Sequence, residues 1–199
     1  MARPPRPERK YELLDQILDH LLDSTLADLT FRSLADALGI SSYVLVYHFG
    51  NREQLVTEII RGIMRRLEPL TTLRPASDSP EDVVALARRA FELGLDHRGR
   101  HLQRLEFEAS VQDVVADDPR RPSAESLEHW CGLLAKWLRG RGLPPRAARS
   151  MARTYVGAVM GLLYEFVLSG DRHAALDSFD VLADGFVAHL DRAAHRIAS

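Results

Sequence analysis

Between Leu29 and Val56 the chain reads LTFRSLADALGISSYVLVYHFGNREQLV, and few folds accommodate that run. Thr30 suits the position before a helix, where a side-chain oxygen accepts a backbone N–H that the helix leaves unsatisfied. Leu34, Ala35 and Leu38 then share one inward face. Gly39 stands just past the last helical residue, where a left-handed backbone costs glycine little. Ile40 plugs the turn and Ser41 caps a second helix. In that helix Leu45 and Phe49 turn inward. Ser42, Tyr43, Val46 and Tyr47 are left outside at offsets i, i+1, i+4 and i+5, one stripe of a short helix. Two helices joined by a tight glycine turn, the second exposing hydroxyls and aromatics, have the geometry that lays a helix in a DNA major groove. Asn51 caps the helix that follows, with Gln54 at the partner position of a capping box. The free N–H groups of such a helix start suit a phosphate, and Arg52 stands beside it.

The remaining sequence is also helical in pattern. Proline and glycine fall between periodic segments, and no convincing strand alternation is present. Helices are expected at about 8–25, 31–38, 42–48, 52–67, 81–97, 100–116, 123–140, 144–169 and 174–196. The first has an apolar stripe of Leu14, Ile17, Leu18, Leu21 and Leu22, opposite an acidic row of Glu12, Asp15, Asp19 and Asp23 that reads as a solvated face. Pro69, Pro75 and Pro80, with Thr71, Thr72, Ser77 and Ser79, mark the clearest loop. Gly99, Asp117-Asp118-Pro119, Gly140 to Pro145, and Gly170 mark later breaks.

Charge restricts how DNA binding would arise. The net charge is −2, and residues 1–70 carry nine Lys/Arg against ten Asp/Glu. Local placement, not a global basic field, must attract a polyanion. Arg3, Arg6, Arg9 and Lys10 form a proline-rich basic arm that either trails along phosphates or the minor groove or is a solubilising tail. Cys131 is the only cysteine, which excludes an intramolecular disulfide and a cysteine-based zinc site. No secretory signal and no apolar run near 18 residues is read from the sequence, so the expected location is the cytoplasm, without a membrane. Neither a nucleophile elbow, a glycine-rich phosphate loop nor a zinc-protease helix is found, so no catalytic residue, metal or cofactor is expected. His97 and His101 have metal-like i, i+4 spacing, but Gly99 between them is expected to break the helix that spacing needs.

At residues 30–55 the chain resembles the TetR family of bacterial repressors. Matches fall at Thr30, Arg32, Leu34, Ala35, Leu38, Gly39, Ser41, Leu45, His48, Phe49, Asn51 and Leu55, with Ile40 and Arg52 as near substitutes. The chain departs at Val46, where the family has tyrosine; Tyr47 comes one place later and either replaces that hydroxyl or points elsewhere. The resemblance implies an all-α fold of about nine helices. An N-terminal arm and three-helix helix-turn-helix DNA-binding domain (1–51) would precede a larger helical ligand-binding and dimerisation domain (52–199, with 52–68 as connecting helix). It implies a homodimer reading a double-stranded DNA operator. It also implies that Arg32 reaches a base edge, where arginine suits guanine at about 1–3 kcal/mol of discrimination; the alternatives are a phosphate clamp or a surface charge. Tyr43 and Val46 are the other base-proximal residues. Thr30, Ser42, Tyr47, His48 and Arg52 are assigned to phosphates, with the Ser41 cap among the DNA-binding residues.

A helix-turn-helix does not need some 130 further residues, so the remainder has its own task. Residues 151–168, MARTYVGAVMGLLYEFVL, are apolar on nearly all sides, which in a soluble helix requires burial or pairing. Gly157 and Gly161, four apart, permit close helix approach. The last helix adds Phe179, Leu182, Phe186, Val187 and Leu190. In the resembled family the last two large helices form the dimer interface. A pocket for a small-molecule effector is expected among Phe91, Leu95, Leu102, Phe107, Trp130, Leu134, Trp137, Tyr155 and Tyr164, with Gln103, Glu106, Glu108 and Glu165 among them. The expected function is a repressor released from DNA by an effector. The alternatives are a regulator acting through a protein partner and, less favoured, an enzyme.

Overall fold

A computed structural model describes residues 7–72, 77–115 and 122–198 of the chain. Arg3, Arg6, Pro75 and the 117–119 break lie outside the described residues. Among the described residues there are nine helices and no strand, as the periodicity and the family resemblance lead one to expect. They run α1 Pro7–Leu21, α2 Phe31–Leu38, α3 Ser42–Phe49, α4 Arg52–Thr72, α5 Pro80–Leu93, α6 His97–Val115, α7 Pro122–Gly140, α8 Pro145–Ser169 and α9 Arg172–Ala198. The chain packs as two compact units that are not consecutive in sequence: Met1–Pro69 with Arg104–Ser123, and Leu70–Gln103 with Ala124–Ser199.

The first unit is organised by the leucine stripe of α1. Leu13, Leu14, Ile17, Leu18 and Leu21 are fully buried, as are Leu55, Ile59, Ile60 and Ile63 of α4. Each such side chain contributes about 1.5–3 kcal/mol of burial. The acidic row Glu12, Asp15, Asp19 and Asp23 faces solvent. Arg9 and Lys10 belong to α1: Arg9 pairs with Glu12, and Lys10 pairs with Glu58 of α4 at 3.3 Å. Helix α1 ends at Leu21, earlier than its periodicity suggests. The N–H groups of Leu22, Asp23 and Ser24 bond to the carbonyls three residues back, which tightens the last turn and closes the helix.

In the second unit α8 and α5 both pack on α9. Its core holds Ala135, Leu138, Leu143, Ala148, Met151, Ala152, Phe186 and Leu190, with Trp137, Leu134 and Tyr155 laid against it. Phe91 of α5 stacks on Phe179 of α9 with ring centroids 4.8 Å apart. The break between α5 and α6 falls at Gly94–Asp96, and Gly99 lies inside the first turn of α6. That corrects the reading of Gly99 as a helix breaker. A Cβ there would stand 2.3 Å from the Gly94 carbonyl oxygen, so close backbone approach, not helix termination, is what glycine serves.

Helix α8 is only weakly apolar for its length, with Arg153 and Glu165 interrupting its apolar run, and little of that stretch is buried. Its Tyr164 is 51% exposed and its Leu168 64%, and Val181 on α9 is 74% exposed. Among the described residues, and apart from the adjoining backbone of α8 itself, nothing comes within 4 Å of a Cβ built on Gly157 or Gly161.

Candidate nucleic-acid interface

Local capping fixes the helix-turn-helix residue by residue. Thr30 is extended (φ −128°, ψ 156°) and its hydroxyl accepts the Ser33 N–H at 3.0 Å. Ser33 returns the contact by accepting the Thr30 N–H at 3.1 Å, so α2 begins with a full capping box. Gly39 closes α2 in the left-handed region (φ 64°, ψ 33°), and the Ile40 N–H bonds back to the Ala35 carbonyl at 3.0 Å. Ser41 caps α3 by accepting the Tyr43 N–H at 3.1 Å. Asn51 and Gln54 form the expected reciprocal box at the start of α4, at 2.8 and 3.1 Å.

The core of this element is Leu34, Ala35, Leu45 and Phe49, all buried, while Leu38 is only half-buried. With Leu45 and Phe49 inward, α3 presents a stripe to solvent: Tyr43 is 75% exposed, Tyr47 53% and Val46 46%. Ser42, Arg32, Thr30 and Ser41 are exposed as well. His48 is half-buried, edge-on to Tyr47 at 5.1 Å. Eight of the nine residues assigned to DNA therefore cluster on α3 and the adjoining helix starts.

Arg52 is placed differently. Its Nη2 donates to the Leu26 carbonyl at 2.9 Å, its Nε to the Leu29 carbonyl at 3.3 Å, and its Nη1 to Gln112 Oε1 at 3.4 Å. The guanidinium is aimed at the α1–α2 linker rather than at the start of α4. Glu108, which sequence reading grouped with pocket polar residues, accepts the Leu26 N–H at 2.7 Å and pairs with Arg104. Arg104 Nη2 in turn donates to the carbonyls of Leu21, Leu22 and Ser24. The signal for this cluster was the i, i+4, i+8 spacing of Arg104, Glu108 and Gln112; its partners about 80 residues away carried none.

The residues expected to line a pocket are dispersed. Phe91 and Leu95 are buried, with Phe91 committed to Phe179. Leu134 and Tyr155 meet on the second unit's core, and the Tyr155 hydroxyl donates to the Gly185 carbonyl at 2.9 Å. Burial raises the Tyr155 hydroxyl pKa. Trp130 is half-buried on α7. Tyr164 faces outward on α8, and Phe107 belongs to the first unit. Within the second unit the buried Gln103 Oε1 and the Trp137 Nε1 have no hydrogen-bond partner among the described residues. The His97 and His101 rings lie 4.5 Å apart on α6, and among the described residues no group of three or more metal-ligating side chains forms.

A capped helix-turn-helix in front of a helical second unit defines a regulator of transcription. No family model matches the chain. The HTH-type transcriptional repressor KstR2 of Rhodococcus jostii is 30% identical over 146 residues, 67% of this chain and 70% of that protein. Its namesake in Mycolicibacterium smegmatis is 25% identical over 205 residues, 86% of this chain and 98% of that protein. A TetR-family regulator from Rhodococcus sp. has the same fold, with a TM-score of 0.71 at 19% identity, covering 92% of this chain and 98% of that one. The multidrug binding protein EbrR complexed with ethidium gives a TM-score of 0.69 at 20% identity over 88% of this chain and 97% of its own. The chain belongs to the TetR family of transcriptional regulators, and it is a regulator, not an enzyme.

Proposed function

We propose that the protein is a cytoplasmic homodimeric repressor that reads a two-half-site operator with α3 and leaves it when a small molecule binds in the second unit. The observation that carries this reading is the solvent-facing stripe Ser42, Tyr43, Val46 and Tyr47, backed by buried Leu45 and Phe49 on a helix too short to serve as a scaffold. Tyr43 and Val46 take base edges, Val46 meeting a thymine methyl, and Arg32 takes a guanine or a neighbouring phosphate. Thr30, Ser41, Ser42, Tyr47 and His48 hold phosphates and set register.

The uncovered face of α8, with Gly157, Gly161, Tyr164 and Leu168, is the surface for the second copy. Two heads held one groove turn apart strengthen a weak single-site contact. Gln103 Oε1 and Trp137 Nε1 offer a small molecule one acceptor and one donor inside the second unit. Both relatives carry the name repressor, and the structural neighbour EbrR is named for multidrug binding. The effector acts only through its differential affinity for the DNA-bound and free states.

Footprinting on the DNA upstream of the protein's own coding region tests the reading. Two protected half-sites, spaced by one helical turn or a multiple of it, are expected. Binding no better than to bulk DNA at physiological salt would sink it.

A further inference from the structure

The segment from Leu22 to Leu29 joins α1 to α2 and ends against Thr30, the cap of the helix-turn-helix. Its own backbone bonds are short turns that return the N–H groups of Leu22, Asp23, Ser24 and Leu29 to carbonyls three residues back. Further backbone groups of this segment are held by side chains from two other helices of the same unit. Arg104 Nη2 takes the carbonyls of Leu21, Leu22 and Ser24 at 2.8, 3.4 and 2.9 Å. Glu108 takes the Leu26 N–H, and Arg52 takes the carbonyls of Leu26 and Leu29. Arg104, Glu108 and Gln112 stand at i, i+4 and i+8 on α6 and so share one face. Gln112 joins the set by accepting from Arg52, and Glu108 joins it to Arg104 through an ion pair. Arg104 and Glu108 are each about three-quarters buried, so water competes poorly for these contacts.

We infer that Arg52, Arg104 and Glu108 are positioning residues for DNA reading, acting through the α1–α2 linker and not through contact with DNA. The inference rests on α3 being the reading helix. Helices α2 and α3 have eight residues each, too few to hold an orientation by their own stability. Their direction follows from what fixes the chain on either side. Leu26 and Leu29 anchor the linker by burial, but apolar anchors fix depth more than rotation. The five carbonyls and one N–H held by the clamp fix its rotation. Thr30 then starts α2 from a backbone whose path is already set. Arg52 is therefore assigned to geometry, although its place at the start of α4 is where a phosphate-binding arginine is expected.

The test begins with a duplex selected by the wild-type protein from a random pool, beside a scrambled duplex of equal length. Affinities for both are measured over a salt series for Arg52→Gln, Arg104→Met, Arg104→Lys, Glu108→Ala and Glu108→Gln, with amide hydrogen exchange over residues 22–30. For a positioning role, Arg52→Gln, Arg104→Met and Glu108→Ala bind the selected duplex about tenfold or more weaker. The scrambled duplex is bound as before, the salt slope is unchanged, and linker amides exchange faster. Arg104→Lys and Glu108→Gln, which keep part of the clamp, lie between. A residue whose replacement weakens both duplexes alike and lowers the salt slope by about one is a phosphate contact, and its positioning role is overturned. Unchanged selectivity in folded variants overturns the inference as a whole. Should Arg104→Met fail to fold, Arg104→Lys and Glu108→Gln decide, since wild-type selectivity in both overturns it equally. If the wild type selects no duplex at all, the DNA reading itself falls and takes this inference with it, a failure visible before any substitution is made.

Discussion

Helices α3 and α8 both leave apolar side chains in water, and the kinds of side chain differ. Helix α3 shows two tyrosines, a valine and a serine on an eight-residue element whose start is capped and whose other face is locked by Leu45 and Phe49. Helix α8 is 25 residues long, begins after Pro144 with no side-chain cap, and shows Leu168, Tyr164 and two glycines. Tyrosine and serine combine apolar contact with hydrogen bonding, which suits a groove lined with donors, acceptors and methyl groups. A long face on which two glycines lie beside Tyr164 and Leu168 lets a second helix approach closely over several turns, which suits another helix. Exposure alone does not separate these uses, since both faces show tyrosine; the length of the face and its glycines do.

The sharpest way to break the comparison is to fill the glycines of α8. Gly157→Gln with Gly161→Gln adds side chains where, beyond α8's own adjoining backbone, no described residue stands within 4 Å of the new Cβ, and it improves helix propensity by about 0.5 kcal/mol per site. A protomer that needs no partner would keep its mass and gain slightly in Tm. With α8 at a dimer interface, light scattering and sedimentation report half the mass, and operator affinity falls by orders of magnitude as the paired heads separate. An unchanged mass would remove α8 from the proposed interface.

The next largest effects separate the two faces of α3. Leu45 is fully buried, so Leu45→Ala costs about 2–5 kcal/mol of stability in chemical denaturation. Tyr43→Ala on the outer face leaves stability within about 0.5 kcal/mol. It relaxes sequence preference by about 1–3 kcal/mol in competition between matched and mismatched duplexes. A stability loss at Tyr43 equal to that at Leu45 would mean that Tyr43 packs rather than reads. Gly39→Ala follows, at about 1–2 kcal/mol, because no atom obstructs the added Cβ and only the left-handed backbone resists it.

How much of this was legible in the sequence depends on how far apart the partners stand. The caps at Thr30 and Ser41, the box at Asn51–Gln54 and the turn at Gly39 involve residues within five positions of one another, and they form where residue type places them. The leucine face of α1 was legible for the same reason. Arg104 and Glu108 reach across about 80 residues to the linker, and nothing in their neighbours announces it. Glu108 on an apolar helix looks the same whether its carboxylate serves a ligand or a backbone N–H. Gly99 misled because a glycine that ends a helix and one that admits a neighbouring backbone are the same letter. Tyr164 stands exposed on α8, and an aromatic on an all-apolar helix carries no mark of which side the core takes.

The smallest effect lies in the second unit, where Arg88 of α5 holds Asp180 of α9. Arg88 Nε meets Oδ1 at 2.8 Å and Nη2 meets Oδ2 at 3.3 Å. The Arg88 hydrogen bond holds the Asp180 carboxyl below its ordinary range. A carboxyl depressed by folding stabilises the fold above its unfolded value of about 3.9, and that contribution is lost as pH falls through the lower folded value. The pair is substantially exposed, unlike the Arg104–Glu108 clamp, so solvent and salt screen most of it. Asp180→Asn should therefore lower Tm only slightly at neutral pH and low salt. The gap from wild type should close as pH drops below the carboxylate range, and it should close again in about 1 M salt. A gap that survives both conditions would mean that Asp180 joins α5 to α9 through packing. The contrast between a screened ion pair in the second unit and a shielded one in the first would then fail.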